Sequence, residues 1–411
     1  MTLAFRTEHN IASVVICASQ RCDGRKAAML VVDATGAVVD VTTYGALAER
    51  IKRSAAGLRA SGVGAGDRVL IVAPSDARYA VATLATLAVG AIAVPASPQL
   101  TEAELEWICD DAGASHAVCG DGRRVPVVRI PYEALVDADT DDVGVAPVAP
   151  ETPALLTYTS GTGGRPKGVL HGHRLLTGRR PMRRGWTDIR SDDVILHAGQ
   201  LNWSYAFGIA VLDTFSVGAT SVVSAHPLEP AALADAVIET QATILAAVPS
   251  VYRRLLKHAP DRLLAASRSL RHALTAGESL TPDLHAAWTS VTVRPLYEAL
   301  GMTECSTFVS SGPETPSRPG WVGRAQRGRT VEVLDPSGSP VRVGEVGRLA
   351  VDRRDPGLML RYWNSPDEDA RVFERHWFVG GDLVEKGPEG YLRYVGRADA
   401  RMNAFGYRVS P

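Results

Sequence analysis

The 411 residues carry 44 basic and 45 acidic side chains, a formal net charge of −1, with 45% hydrophobic and 22% charged residues. This balance excludes wholesale disorder and a global basic field for nucleic acid or anionic lipid, and the length predicts two or three compact units. The five cysteines, Cys17, Cys22, Cys109, Cys119 and Cys305, form no C-x-x-C pair. That argues against a disulfide framework or a zinc site and for a reducing, cytoplasmic compartment. Arg6 and Glu8 interrupt the opening before an apolar stretch develops, so no signal peptide is expected.

Leu47, Ile51, Ala55 and Leu58 mark one face of a helix that Gly62 ends. Arg68–Pro74 is a short apolar run, typical of a strand covered on both faces. Tyr79–Thr101 has no charge and is long enough to span a bilayer. Gly90, Pro95 and Pro98 divide it, so it reads as a buried helix (Tyr79–Val89), a turn and a buried strand (Ala91–Val94), with no membrane span. Thr101–Trp107 reads as a capped helix and His116–Cys119 as the next strand. Val194–His197, Thr220–Ser224, Thr243–Val248 and His272–Leu274 continue the short apolar runs, several separated by helical stretches. The alternation predicts an α/β fold with mainly parallel sheets. After the Pro-, Ser- and Gly-rich Pro313–Gly320, alternating runs at Thr330–Leu334 and Gly347–Val351 predict a smaller all-β unit over 321–396. The pattern thus predicts an α/β part over 1–320 and a small β subdomain over 321–396.

The densest chemical signal is Leu156–Gly168, reading LTYTSGTGGRPKG. A strand-like run enters a loop of glycines and hydroxyls that Lys167 closes. Glycines let backbone N–H groups approach a phosphate, hydroxyls add donors and lysine adds charge. It is not a Walker A loop, because Pro166 stands where that motif needs Gly. A Gly-rich surface turn is the alternative reading of these residues alone.

Other motifs follow in order. They are Leu87–Pro95 (LAVGAIAVP), Ala276–Ser279 (AGES), Gly301–Glu304 (GMTE), Gly344–Gly347 (GEVG), Trp377–Asp382 (WFVGGD), Gly396–Asp399 (GRAD) and Gly406–Pro411 (GYRVSP). The ordered set resembles the adenylate-forming superfamily of acyl-CoA synthetases, peptide-synthetase adenylation domains and firefly luciferase, over nearly the whole chain. The resemblance implies that 1–320 is a pair of mainly parallel α/β subdomains, followed by a small β-barrel-like subdomain, a hinge at 397–411 and a mobile C-terminal domain. That domain, with its lysine promoting adenylation, is expected to be absent from these residues, which stop at Ser410-Pro411. It also implies an AMP-forming acid–thiol ligase using ATP, Mg²⁺ and coenzyme A.

The resemblance further implies roles. Thr159, Ser160, Gly161, Thr162, Gly163, Gly164 and Lys167 hold the β- and γ-phosphates. Thr303 contacts the α-phosphate and Glu304 holds Mg²⁺. Gly277, Glu278 and Ser279, with Leu300, Gly301 and Met302, line the adenine side. Asp382 and Arg397 reach the ribose, and Asp399 is the hinge. Alone, Thr303-Glu304 would also read as helix capping and Asp382 as a turn residue. Leu201–Ala210 falls at the acyl pocket, so Trp203, Tyr205, Ala206 and Phe207 are the substrate candidates; ordinary core packing is the alternative. No Asp lies between Leu201 and Leu212 to grip an α-amino group. Benzoate-type aryl acid ligases are the nearest likeness, which implies a bulky hydrophobic or aryl carboxylic acid. His171 and His173 lack a third metal ligand in register, and Cys305 reads as a buried inert thiol.

Three residues depart from the family pattern on the ATP side. Gly163 stands for a loop Thr, Leu300 for an adenine-stacking aromatic, and Gly380 for the Thr of T-G-D. They leave two alternatives beside the ligase: a homologue that takes acyl-AMP made elsewhere to acyl-CoA, and a non-catalytic acyl-adenylate binder. No nucleic-acid or membrane partner is expected.

Overall fold

The structure, a computed structural model, describes residues 9–120, 122–136, 144–159 and 166–398, and the backbone of 402–404 and 407–409. Ser160, Gly161, Thr162, Gly163 and Gly164 of the phosphate loop and the hinge residue Asp399 lie outside the described residues.

Two sheets carry the fold. The first has seven strands. Val128–Pro131, His116–Cys119, Arg68–Val72, Ile92–Pro95 and Pro153–Thr159 run parallel, and Lys167–Gly172 and Arg361–Tyr362 close one side antiparallel. The second has nine strands, with Leu296–Met302, His272–Ala276, Ile244–Ala247, Val194–His197, Thr220–Ser224 and Ala27–Val32 parallel at its centre. One apolar cluster joins both, running from Met29 and Val31 through the helices to Val69 and Ile71.

The helices form where the apolar spacing demands. In Tyr44–Ala60, Leu47, Ile51, Ala55 and Leu58 are at most 2% exposed. Thr43 caps its start, and Gly62 turns the chain away at φ 89°, a conformation glycine adopts without strain. The uncharged stretch folds as the buried helix Ala77–Ala88, a turn at Gly90 and the strand Ile92–Pro95. Among the described residues, no helix is long and apolar enough to cross a membrane. Thr101 and Glu104 form a reciprocal capping box on Glu102–Ala112, which satisfies two otherwise orphaned N–H groups.

A third, antiparallel sheet holds Val331–Leu334, Val346–Asp352, Trp377–Lys386, Phe373–Glu374 and Leu392–Arg397. The segment 321–396 also contains what the sequence pattern did not anticipate. A short helix spans Pro366–Val372, and Arg361–Tyr362 leaves the small sheet to pair with Val169 and Leu170 of the seven-stranded one. Ala27–Val32 and Val38–Thr43 were likewise unforeseen; they join the second sheet although they precede the first in sequence.

Candidate active site

Pro153–Thr159 pairs antiparallel with Lys167–Gly172, with Thr159 opposite Lys167, and the glycine-rich residues 160–165 between them lie outside the described residues. Lys167 makes an ion pair with Glu368 on the short helix. Its Nζ also lies 5.5 Å from the Tyr362 ring centroid. The Tyr362 hydroxyl donates to Glu304 Oε1 at 2.7 Å, and Glu304 is buried. Gly301–Glu304 turns between Leu296–Met302 and Ser306–Ser310; a Cβ on Gly301 would come 2.4 Å from the Ser306 carbonyl oxygen, so only glycine permits this hairpin.

Thr303 is fixed from two sides. Its carbonyl accepts from His171 Nε2 at 2.7 Å, and its Oγ1 lies 3.3 Å from Ser204 Oγ. Burial holds the His171 pKa down at about 4, so the ring is neutral at pH 7 and carries its proton on Nε2.

Asp382 and Arg397 are register partners on adjacent strands, paired at 3.1 Å. Arg397 also donates to the Gly380 carbonyl at 3.1 Å. Gly277 follows the strand His272–Ala276 at φ 91°. Glu278 accepts from the N–H and hydroxyl of Ser250, both at 3.0 Å, which fastens the start of the helix Pro249–His258. Ser279 is exposed. Leu300 and Met302 pack against the cluster beneath the small sheet. A Cβ on Gly380 would come 2.9 Å from Met302 Sδ. Met302 therefore occupies the space that a threonine would take.

A narrow cleft opens beside Thr303. Leu201, Trp203 and Phe207 form its apolar wall, and Thr303, Ser306, His171 and Arg179 its polar one. Its free space is about 30 Å³, room for a water-sized molecule only. Trp203 is the extended residue before the short helix Ser204–Phe207, and it and Phe207, at that helix's last position, both line the cleft. Of the four substrate candidates, Trp203 and Phe207 line this cleft, and Tyr205 and Ala206 lie beside it without reaching its wall. The Tyr205 ring stacks on Trp186 at 5.8 Å and meets His197 edge-on at 4.5 Å, with its hydroxyl donating to the Leu274 carbonyl at 3.3 Å.

Sequence reasoning missed the buried Arg179. It grips Asp213 through two bonds of 2.8 and 2.7 Å and donates to Ser306 Oγ at 2.6 Å. One signal was present in the sequence, Asp213 as the first charge after the uncharged Leu201–Leu212; in the structure, a Cβ on Gly208 would strike the Arg179 guanidinium at 2.4 Å. Tyr362 and Glu368 carried no motif at all. Cys305 is buried, its thiol pushed up to about 12 by burial, too high for a thiolate.

Among the described residues, no group of three or more His, Cys, Asp or Glu side chains is placed to hold a metal ion by itself. Glu304 supplies a hard carboxylate oxygen. That fits Mg²⁺, which binds through one or two carboxylates plus substrate phosphates and water.

Known proteins resemble the chain along most of its length. Feruloyl-CoA synthase from Amycolatopsis sp is 32% identical over 382 residues, spanning 90% of this chain and 76% of its own length. 3-Hydroxybenzoate–CoA ligase from Aromatoleum sp. (strain CIB) is 28% identical over 394 residues, spanning 90% of this chain and 74% of its own. The crystal structure of a benzoate CoA ligase from Burkholderia xenovorans LB400 superposes with a TM-score of 0.84 at 25% identity, over 95% of this chain and 80% of that one. The family model described as AMP-binding enzyme matches residues 19–363, and the chain therefore belongs to the AMP-binding enzyme family.

Proposed function

We propose that the chain activates an aryl carboxylic acid as its adenylate and passes the acyl group to coenzyme A. One observation carries the reading: the apolar cleft and the phosphate-side cluster meet at a single residue, Thr303. Its hydroxyl faces Ser204 at the cleft mouth, and the next residue, Glu304, is tied through Tyr362 to the neighbourhood of Lys167. An acid seated against Trp203 and Phe207 brings its carboxylate to Thr303, where an α-phosphate would lie.

In the first half-reaction, a carboxylate oxygen forms a bond to the α-phosphorus of ATP and pyrophosphate leaves. In the second, the thiol of coenzyme A forms a bond to the acyl carbon and AMP leaves. The chain supplies positioning and charge rather than covalent chemistry. Lys167 neutralises the departing phosphates, His171 fixes Thr303, and Asp382 accepts from the ribose. Mg²⁺, held through Glu304, would add charge to the phosphate oxygens. The aryl relatives and the uncharged wall support an aromatic acid, and the small free space implies that Trp203 moves aside to admit it.

The test measures the two half-reactions separately, by ATP–pyrophosphate exchange and by conversion of supplied aryl-AMP to aryl-CoA, with benzoate, hydroxybenzoates and ferulate. Calorimetry with a non-hydrolysable aryl-adenylate analogue tests binding alone. Saturable analogue binding that Thr303→Ala weakens is expected. Failure to bind any aryl adenylate would overturn the reading. Binding without either half-reaction would favour an acyl-adenylate binder.

A further inference from the structure

Behind the acyl cleft lies a larger cavity of about 600 Å³. Its wall carries Arg21, Arg174, Arg180 and Arg183, and its one carboxylate, Asp213, is already committed to Arg179. Within the described residues, the guanidinium groups of Arg180 and Arg183 make no hydrogen bond or ion pair. Arg183 is half-buried. Burial, together with Arg180 and Arg184, holds its pKa below the usual arginine range despite Asp213.

The second observation is independent of these arginines. His173, on the same wall, is 2% exposed. Its Nδ1 accepts from the Ile11 N–H at 3.2 Å, so the proton sits on Nε2. Among the described residues, that buried N–H has no acceptor. A buried donor left unmade is costly, and so is an unpaired, partly desolvated cation. Arg180 is exposed, but all these groups are donors lining one cavity, and an anion is the class of ligand they suit.

We propose that this cavity is a second ligand site, built for a phosphate-bearing small molecule. The Arg180 and Arg183 guanidiniums clasp the phosphate oxygens and the His173 Nε2–H donates to one of them. Lys167 and Asp382 are absent from its wall, so the site is separate from the nucleotide residues. It shares Arg179 with the acyl cleft, and Arg179 bonds Ser306 on the cleft side. Occupancy is therefore coupled to acid binding. This coupling, unlike the binding itself, rests on the proposed ligase reading.

The probe is inorganic phosphate, titrated by calorimetry into the whole chain. The Arg180→Gln/Arg183→Gln double variant is expected to bind at least tenfold more weakly, and Arg180→Lys/Arg183→Lys to retain binding. A Lys167→Ala background is expected to leave the phosphate signal in place. Equal affinity in the Gln double variant, or loss of all saturable binding with Lys167→Ala, overturns the proposal. Unchanged thermal melting guards against misfolding. A second arm compares coenzyme A with its 3′-dephospho form. A difference abolished by the Gln double variant assigns the phosphate to coenzyme A. Phosphate binding without such a difference assigns it to a free phosphorylated molecule. Aryl-adenylate binding that persists in the Gln double variant keeps this test distinct from that of the ligase reading.

Discussion

Lys167, the lysine of the phosphate hairpin, is held by Glu368, 201 positions later in the chain. Glu368 is in turn braced by Arg371 at 2.6 Å. Both members of the Lys167–Glu368 pair are 20% exposed, so screening by water is incomplete. On the proposed reading, a triphosphate would compete with this carboxylate for the lysine.

Replacing Glu368 with Gln removes the competitor. The KM for ATP in pyrophosphate exchange is expected to fall about two- to tenfold, the value of one partly buried pair. A KM that stays the same or rises would show that the pair does not hold Lys167 away from ATP.

Asp382→Ala is expected to weaken binding of an aryl-adenylate analogue about tenfold to a hundredfold, as loss of a charged hydrogen-bond acceptor does. Asp382→Asn, which keeps the shape, separates charge from packing. Full-strength binding by the Ala variant would remove Asp382 from the ribose site.

The two faces of the 203–207 segment make opposite predictions. Trp203→Ala and Phe207→Ala should change relative rates across a panel of aryl acids, with Trp203→Ala admitting larger rings. Tyr205→Phe should leave selectivity alone and cost about 1 kcal/mol of stability, one buried hydrogen bond. Altered selectivity in Tyr205→Phe with none in Phe207→Ala would reverse the assignment.

Burial holds His171, His173 and His272 at about 4 and His197 at about 3. Their folded values lie below the unfolded one, so the unfolded state takes up protons first. Their contribution is complete above about pH 6.5 and is lost as pH falls toward 4. Glu298 has the opposite sign, since burial raises it to about 7. Its contribution is present at low pH and lost as pH rises through 7. With four groups against one, the urea midpoint should drop between pH 6.5 and 4.5. Glu298→Gln should stabilise the protein at pH 8 by on the order of 1–3 kcal/mol and far less at pH 4.5. Equal effects at both values would contradict the linkage.

The parallel core was legible because its strands are short apolar runs between periodic helices, and Val194–His197 and Thr220–Ser224 fall where the pattern puts them. Ala27–Val32 was not legible, because its partner Thr220–Ser224 lies far along the chain and no local pattern encodes that pairing. Thr303 and Asp382 could be singled out because they sit in short ordered motifs. Arg179, Tyr362 and Glu368 could not, since each acts through a contact made only in three dimensions. Tyr205 shows the limit of composition: an aromatic in an uncharged stretch is equally suited to a cleft wall and to a core.

The pairing of Arg361–Tyr362 with the phosphate hairpin has a consequence for handling the protein. The Leu360 N–H donates to the Leu170 carbonyl and the Trp363 N–H to the Gly168 carbonyl, both at 2.7 Å. Residues 360–363 thus form a selvage on the seven-stranded sheet. Without it, Lys167–Gly172 would be a bare edge with Val169 and Leu170 at its centre, a template for a foreign strand. A fragment cut before Leu360 is therefore expected to self-associate, and light scattering would register the change before any assay of catalysis did.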